Sequence, residues 1–339
     1  MKVVAHYKCL PVDNPDSLQD IELPEPTPGP RDLLVEVKAV SVNPVDTKVR
    51  QGYVPHADES QPRILGWDAT GIVKSVGRDV TLFKPGDRVW YAGSLVRPGS
   101  NSEFQLVDER IVGRMPESLA FAQAAALPLT SITAWELLFD RLGVTRDKAD
   151  RGETLLIVGA AGGVGSIMTQ LARQLTGLTV IGTASRPETQ AWVTELGAHH
   201  VIDHSKPLSE ELKRIGIPQV TYVASLTQTD RHYEQIIESL MPQGKLGLID
   251  DPESLDAVPL KRKSLSLHWE LMYTRSLYET SDMQEQHNLL NEVAQLIDSG
   301  VLRTTFGEHY GKINAENLRR AHAMLESGKA KGKIVLEGF

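Results

Sequence analysis

The sequence lacks the residues from which several classes of protein build their sites. Of its 339 residues only Cys9 is a cysteine, which excludes an internal disulfide and any zinc site that needs two thiolates from one chain. Basic residues number 36 against 44 acidic ones, and this negative balance disfavours nucleic acid and anionic membranes as partners. No apolar run approaches the roughly 20 residues that cross a bilayer, and the first residues carry no signal-peptide pattern. We therefore expect a soluble, cytoplasmic protein, and at roughly 150 residues per domain the length predicts two domains.

The distribution of apolar residues differs between parts of the chain. The first 125 residues contain short apolar or alternating runs separated by proline, glycine and aspartate, which is typical of strands and turns. Beyond Ala120, strands alternate with amphipathic helical segments, and this pattern predicts βαβ units around a parallel sheet. The strands predicted there cover residues 155–160, 179–184, 201–203, 220–224 and 246–249. Two further helices, 284–297 and Ala315–Glu326, and a strand, Lys333–Glu337, are predicted near the end of the chain.

The most informative motif lies where the first of these strands meets a helix. Glycines at such a turn let backbone amides approach a pyrophosphate, and the N-terminus of the helix supplies aligned N–H groups. In this strand–loop–helix context the motif predicts dinucleotide binding, and a purely structural glycine turn is the alternative. Ala160 departs from the fingerprint, since it stands where the first glycine usually lies. The candidate cofactor-binding residues are Ala160, Ala161, Gly162, Gly163, Val164 and Gly165.

The end of the second predicted strand indicates which dinucleotide is preferred. NAD sites usually carry an acidic residue there, about 20 residues after the loop, to hold the ribose 2′-hydroxyl. Here the chain has Ser185 and Arg186, and the first acidic residue, Glu188, lies inside the following helix. A hydroxyl and a guanidinium suit a 2′-phosphate, so we predict NADPH as the cofactor. The alternative is that Ser185 only caps the helix and Arg186 is a solvated surface charge.

Five segments are informative together: SVNPVDTK (41–48), LGWDATG (65–71), GDRV (86–89), LPLTSITAW (127–135) and the glycine-rich loop. They resemble the medium-chain dehydrogenase/reductase superfamily, in its quinone oxidoreductase (zeta-crystallin-like) branch. Within that branch the chain is most similar to the zinc-type alcohol dehydrogenase-like proteins. The resemblance implies an α/β protein in which a GroES-like β-rich domain, residues 1–127 and 279–339, carries an inserted Rossmann domain, residues 128–278. It also implies a homodimer formed through the Rossmann domains.

The resemblance also implies candidate residues for substrate chemistry. Asn43 lies where the family has a substrate-facing asparagine, and its amide is the best candidate to polarise a carbonyl; bracing of its own loop is the alternative. Asp46 is also a catalytic candidate, but its residue type and place favour fixing of this loop over a role as an acid. Tyr53 is a possible proton donor, or else a packing or lid residue.

Further residues are candidates for contact with the cofactor. By resemblance, Thr133 starts the helix that enters the Rossmann domain and lies near the nicotinamide, and His204 lines the 2′-phosphate pocket. Ser225 and Asp250 follow strands of the parallel sheet, at the edge where such ligands bind. Lys333 lies where relatives contact the cofactor, although a plain strand lysine is an equal alternative.

The resemblance raises the question of zinc, which many members of the superfamily use. The positions that hold the metal in those relatives read Asn43, Trp67-Asp68 and Thr130 to Thr133 here, with no thiol or imidazole. We therefore expect no metal site. Without a Lewis acid, a conjugated carbonyl or a quinone is easier to reduce than a simple ketone, because the developing charge is delocalised. The alternatives are a zinc-dependent alcohol dehydrogenase and a non-catalytic, NADPH-binding redox sensor.

Overall fold

The computed structural model describes residues 1–54, 56 and 58–339. It consists of two compact units: Met1–Ile132 with Tyr273–Phe339, and Thr133–Met272. We call them the catalytic unit and the nucleotide unit. The sequence predicts the second unit at residues 128–278, whereas the structure divides the chain at Thr133 and Met272. In the part of the chain that is described, no helix is long and apolar enough to cross a membrane.

The strands are numbered in chain order through both units. They are β1 (Lys2–His6), β2 (Gln19–Glu22), β3 (Asp32–Ser41), β4 (Arg63–Ile64), β5 (Ala69–Val76), β6 (Arg88–Tyr91), β7 (Phe104–Asp108), β8 (Val112–Arg114), β9 (Thr154–Val158), β10 (Thr179–Thr183), β11 (His200–Ile202), β12 (Val220–Ser225), β13 (Leu240–Leu248), β14 (Ser266–Trp269), β15 (Phe306–His309) and β16 (Lys333–Glu337).

The α-helices are numbered in the same way. They are α1 (Pro44–Arg50), α2 (Phe121–Ala125), α3 (Pro128–Trp135), α4 (Gly163–Leu175), α5 (Pro187–Glu195), α6 (Leu208–Arg214), α7 (Thr229–Ser239), α8 (Thr274–Leu277), α9 (Glu285–Asp298) and α10 (Ala315–Glu326). A π-helical turn, Glu136–Arg141, continues α3, and short 3₁₀ turns lie at Pro15–Ser17, Glu109–Ile111 and Val258–Lys263.

The catalytic unit is built on a mainly antiparallel sheet in the order β15-β16-β3-β5-β6-β8, with β7 also paired to β3. The central strand β3 alternates buried apolar residues with partly exposed polar ones over part of its length, as expected for a half-buried strand. Its register with β16 places Val335 opposite Ser41, and its register with β5 places Val40 opposite Ala69. The residues that follow β3, precede β5 and begin β16 therefore meet at one end of this sheet.

The nucleotide unit contains a parallel sheet in the order β11-β10-β9-β12-β13-β14. The order reverses beside β9, since the chain moves outward to β10 and β11 and then returns to β12. Ligands of such sheets bind at the carboxyl ends of the strands next to this reversal. The predicted combination of a GroES-like domain with a Rossmann-type domain is confirmed. Strand β14 has no counterpart among the strands predicted from the sequence, although residues 264–271 alternate polar and apolar side chains in the period-2 pattern of a strand.

Candidate functional site

The glycine-rich loop joins β9 to α4 in the nucleotide unit. Gly159 has a φ of +85°, which favours glycine, and its amide donates to Thr183 Oγ1 at the end of β10 (3.0 Å). At Gly165 a Cβ atom would lie 2.4 Å from the Gly159 carbonyl oxygen and 2.6 Å from Ala160 Cα. Only glycine therefore allows α4 to begin so close to the strand.

Ala160, which stands where the fingerprint has its first glycine, is accommodated by a glycine in the neighbouring strand β10. Ala160 is fully buried, and a Cβ placed on Gly182 of β10 would lie 2.9 Å from the Ala160 methyl group. The methyl group is thus accommodated by a glycine beside it and does not obstruct the loop. The segment 161–164 stays partly exposed, and Gly162 offers no side chain to cap the first turn of α4. This cradle fits the diphosphate group of a dinucleotide.

The residues predicted to hold a 2′-phosphate lie just after β10 and β11, two adjacent parallel strands. Ser185 is exposed, and Arg186 is half-buried and pairs with Glu188 (Nε to Oε1, 3.2 Å). The N-cap of α5 is Arg186 rather than Ser185, which removes the capping alternative for that hydroxyl. Because solvent reaches 40% of the Arg186 side chain and 57% of the Glu188 side chain, the pair is weak, and little free energy opposes its exchange for a phosphate.

The third predicted residue of this group, His204, follows β11. Its ring lies 6.3 Å from that of His232, centroid to centroid, and burial lowers its pKa. The described residues contain no group of three or more histidine, cysteine or carboxylate side chains placed to hold a metal. Ser185, Arg186 and His204 follow adjacent parallel strands and so lie at one edge of the sheet. Their contact with a cofactor stays a prediction.

Ser225 and Asp250 are brought together by the N-terminus of α7. Ser225 Oγ lies 2.8 Å from Thr229 Oγ1, and the Asp250 carboxylate accepts hydrogen bonds from the amide (2.8 Å) and hydroxyl of Thr229. Asp250 thus caps this helix. Gly159 lies against the same loop, since a Cβ on it would approach Thr227 Cγ2 to 2.9 Å. Both candidates therefore line the switch-point edge of the sheet, where one of them also has a structural role.

In the catalytic unit, Asp68 is the centre of a fully buried hydrogen-bond network. Its carboxylate accepts from Ser41 Oγ (2.9 Å), Asn43 Nδ2 (2.9 Å), Lys333 Nζ (3.0 Å) and the amide of Leu129 (2.7 Å). The last contact lies in the first turn of α3, where a negative charge is favoured by the helix dipole. Four donors, one of which is the Lys333 ammonium, compensate the cost of burying this carboxylate. We call Ser41, Asn43, Asp68 and Lys333 the Asp68 network.

Asn43 and Lys333 make their side-chain hydrogen bonds within this network. The ammonium of Lys333 donates to Asp68, to the Val42 carbonyl oxygen (2.9 Å) and to Asn43 Oδ1, so its three hydrogens are assigned. The Asn43 amide donates to Asp68, and its backbone N–H donates to Asp46 Oδ2 (2.6 Å) at the start of α1. This geometry favours the loop-bracing alternative for Asn43 and the structural alternative for Lys333, while their contacts with substrate and cofactor stay predictions.

Asp46 and Tyr273 lie next to the network. Burial raises the pKa of Asp46 to about 7, against the opposing effects of the Asn43 amide and the Lys333 ammonium. Tyr273 is 2% exposed, and its hydroxyl has no hydrogen-bond partner among the described residues. Burial, with further contributions from Asp46 and Asp68, raises its pKa well above the usual value. Tyr273 was not identified from the sequence, because no local signal distinguishes a tyrosine beside a site from one that only packs in a core.

Two other predicted residues lie elsewhere. Tyr53 is 64% exposed, on the loop that follows α1. The expectation that Thr133 starts a helix is wrong, since α3 begins at Pro128 and Thr133 lies near its end. Proline is favoured in the first turn of a helix, where its missing N–H costs nothing, and this signal identifies the true start.

The residues at the family's metal positions do not fit zinc. The indole of Trp67 is buried and donates to the Ser94 carbonyl oxygen (3.1 Å), and indole offers no lone pair to a metal. The oxygens of Asn43 and Asp68 face the Lys333 ammonium, which uses the lone pairs that a cation would need. A carboxylate and an amide alone, without thiolate or imidazole, make a poor site for zinc.

Comparison with known proteins agrees with this architecture. Residues 29–130 match the alcohol dehydrogenase GroES-like domain family, and residues 196–336 match the zinc-binding dehydrogenase family. Together with the sheet topology, these matches place the chain among the oxidoreductases of the medium-chain dehydrogenase/reductase superfamily. Within it, a zinc-type alcohol dehydrogenase-like protein of Staphylococcus aureus is 41% identical over 99% of both chains. The chain belongs to this family of zinc-type alcohol dehydrogenase-like proteins.

Solved structures extend the comparison. A Rhizobium etli protein, provisionally described as a zinc-dependent alcohol dehydrogenase, is 57% identical with a TM-score of 0.95, covering 100% of this chain and 98% of that one. The Escherichia coli quinone oxidoreductase, solved in complex with NADPH, is 27% identical with a TM-score of 0.82 and covers 99% and 100%. The names of these neighbours thus point to different substrates, and the fold alone does not choose between them.

Proposed function

We propose that this protein is an NADPH-dependent oxidoreductase that reduces a quinone or an α,β-unsaturated carbonyl compound by hydride transfer, without catalytic zinc. The observation that carries the proposal is the Asp68 network, in which an ammonium and an amide occupy the acceptors that a metal would need. Carbonyl reduction without a Lewis acid is favoured when the substrate itself delocalises the developing negative charge. Enones, enals and quinones do so, and simple ketones do not.

The nucleotide unit supports the choice of cofactor. The cradle at Gly159 and Gly165 suits the diphosphate group, and the exposed Ser185 and partly exposed Arg186 suit a 2′-phosphate. The NADPH complex of the Escherichia coli quinone oxidoreductase, a structural neighbour, is consistent with this assignment. When bound, NADPH supplies the hydride, and the protein contributes binding, orientation and hydrogen-bond donors.

The test is NADPH oxidation by the purified protein, followed by loss of NADPH absorbance, with 9,10-phenanthrenequinone, 1,4-benzoquinone and short 2-alkenals as acceptors. Turnover is expected with at least one of these acceptors, and it should persist after prolonged chelation and removal of metal. Gly165→Val places a side chain where a Cβ already lies 2.4 Å from the Gly159 carbonyl oxygen, so this variant should lose both NADPH binding and turnover. It controls for a contaminating reductase.

The alternatives give different results in the same experiment. A zinc-dependent alcohol dehydrogenase would contain stoichiometric zinc, lose activity on chelation and regain it with zinc. A non-catalytic redox sensor would bind NADPH but oxidise none of it with any of the acceptors. Either outcome contradicts the proposal.

A further inference from the structure

The hydroxyl of Tyr273 is a buried donor for which the described residues offer no acceptor. The side chain is 2% exposed, and its oxygen contacts no hydrogen-bond partner among the described residues. The backbone is well fixed, since the Tyr273 carbonyl oxygen accepts from the amide of Leu277 (2.8 Å) and from Ser276 Oγ (3.1 Å) in α8. A buried polar group without a partner reduces stability, so its presence calls for an explanation.

The surroundings of the Tyr273 hydroxyl favour its protonated form. Asp46 and Asp68 are near enough to contribute to the raised pKa of Tyr273. Asp68 is balanced by the ammonium of Lys333, and Asp46, whose own pKa is raised to about 7, is partly protonated at neutral pH. Tyr273 therefore always carries a hydrogen to donate, in surroundings of low net charge.

The other candidate donor in this region has its hydrogens assigned. Asn43 Nδ2 donates to Asp68 Oδ2 at 2.9 Å, and lies 3.4 Å from the Trp67 carbonyl oxygen. To polarise a substrate, Asn43 would have to abandon a charge-assisted hydrogen bond, which is costly in a buried site. Tyr273 can donate without breaking a hydrogen bond, because its hydroxyl has no partner in the part of the chain that the structure describes.

We propose that Tyr273 is a catalytic residue whose hydroxyl donates a hydrogen bond to the carbonyl oxygen of the substrate. This inference rests on the proposed function. Hydride from the reduced nicotinamide forms a C–H bond at the β-carbon of the enone, and the electron pair of the C=C bond moves through the conjugated system to the oxygen. Tyr273 stabilises the enolate oxygen, and water then delivers a proton to the α-carbon to give the saturated carbonyl compound. The hydrogen bond strengthens as charge develops, so it lowers the barrier.

The test compares Tyr273→Phe with Tyr91→Phe. Tyr91 of β6 is a matched control, because it is equally buried, its hydroxyl also lacks a partner among the described residues, and burial alone raises its pKa. Single-turnover NADPH oxidation should fall about a hundredfold or more in Tyr273→Phe, judging from losses of single oxyanion donors. In Tyr91→Phe the rate should stay near that of the wild type.

Stability separates a catalytic from a structural role. Both variants delete a buried hydroxyl that has no partner among the described residues. The melting temperature of neither variant should therefore fall below that of the wild type, and both are expected to fold. A rate in Tyr273→Phe within about threefold of the wild type would remove Tyr273 from the reaction; so would an equal loss in both variants. If the wild type itself oxidises no NADPH with any acceptor, the proposed function has failed, and this outcome is distinct from failure at Tyr273.

Discussion

Replacing Lys333 by methionine tests how the Asp68 network holds the catalytic unit together. Methionine preserves most of the apolar stem and removes the charge together with all three hydrogen bonds. Lys333 is 4% exposed at the side chain, Asp68 is not exposed at all, and their nitrogen and oxygen lie 3.0 Å apart. The variant therefore leaves a buried carboxylate without its counter-charge.

The loss of stability expected in Lys333→Met follows from the burial of the Lys333–Asp68 pair rather than from the distance between its charges. Removing one partner of a buried ion pair costs about 3–5 kcal/mol. Because Asp68 keeps Ser41, Asn43 and the Leu129 amide as donors, we expect a loss near about 3 kcal/mol in the free energy of unfolding. Lys74→Met is the control: its pair with Glu25 is shorter, at 2.7 Å, but 45% and 40% exposed, so it should cost less than about 1 kcal/mol.

Urea unfolding followed by tryptophan fluorescence measures both variants. The double variant Lys333→Met with Asp68→Asn removes both charges, and should recover at least about 1 kcal/mol relative to the sum of the single losses. The wild-type affinity for NADPH should survive in Lys333→Met if the ammonium serves only the network. A loss in Lys333→Met no larger than that in Lys74→Met would refute the reasoning about burial. A selective loss of NADPH affinity would support the predicted cofactor contact.

Three further predictions concern other parts of the chain. Arg186→Ala should reduce the preference for NADPH over NADH by roughly ten- to a hundredfold, through loss of a charge-assisted phosphate contact; equal affinities in the wild type, measured by titration, would contradict it. Burial lowers the pKa of His6 to about 4 and of His322 to about 3. Below pH about 6.5 the unfolded chain therefore binds protons that the folded chain does not, and the free energy of unfolding should fall as pH drops from 6.5 towards 4. Melting curves of His322→Gln should show a shallower fall than the wild type, and an unchanged slope would argue against this origin. Trp269 is 51% exposed and lies on β14, an edge strand of the parallel sheet, so it should lie in the predicted homodimer interface. Trp269→Glu should then sediment near the 37.4 kDa monomer mass, and a wild type that already does so would rule the dimer out.

Features that depend on local pattern could be predicted from the residues alone. The strand, the glycine-rich loop and the helix that begins at Gly163 are consecutive in the chain, so their order and spacing specify the phosphate cradle directly. The helix Ala315–Glu326 was predictable to the residue, since its apolar periodicity and the asparagine that caps it are local signals. The absence of thiol and imidazole at the metal positions was likewise readable from residue identities alone.

The hydrogen-bond partners of the side chains in the catalytic unit could not be predicted in this way, because they depend on contacts between distant segments. Lys333 and Asn43 are 290 residues apart in the chain, and they meet because the register of β16 on β3 places Lys333 beside the end of β3. Asp68 reaches both through the register of β3 on β5. Register depends on the packing of a whole sheet face and on pairing between distant segments. Residue identities therefore made Asn43 and Lys333 candidates, whereas the register of the sheet showed that they bind each other.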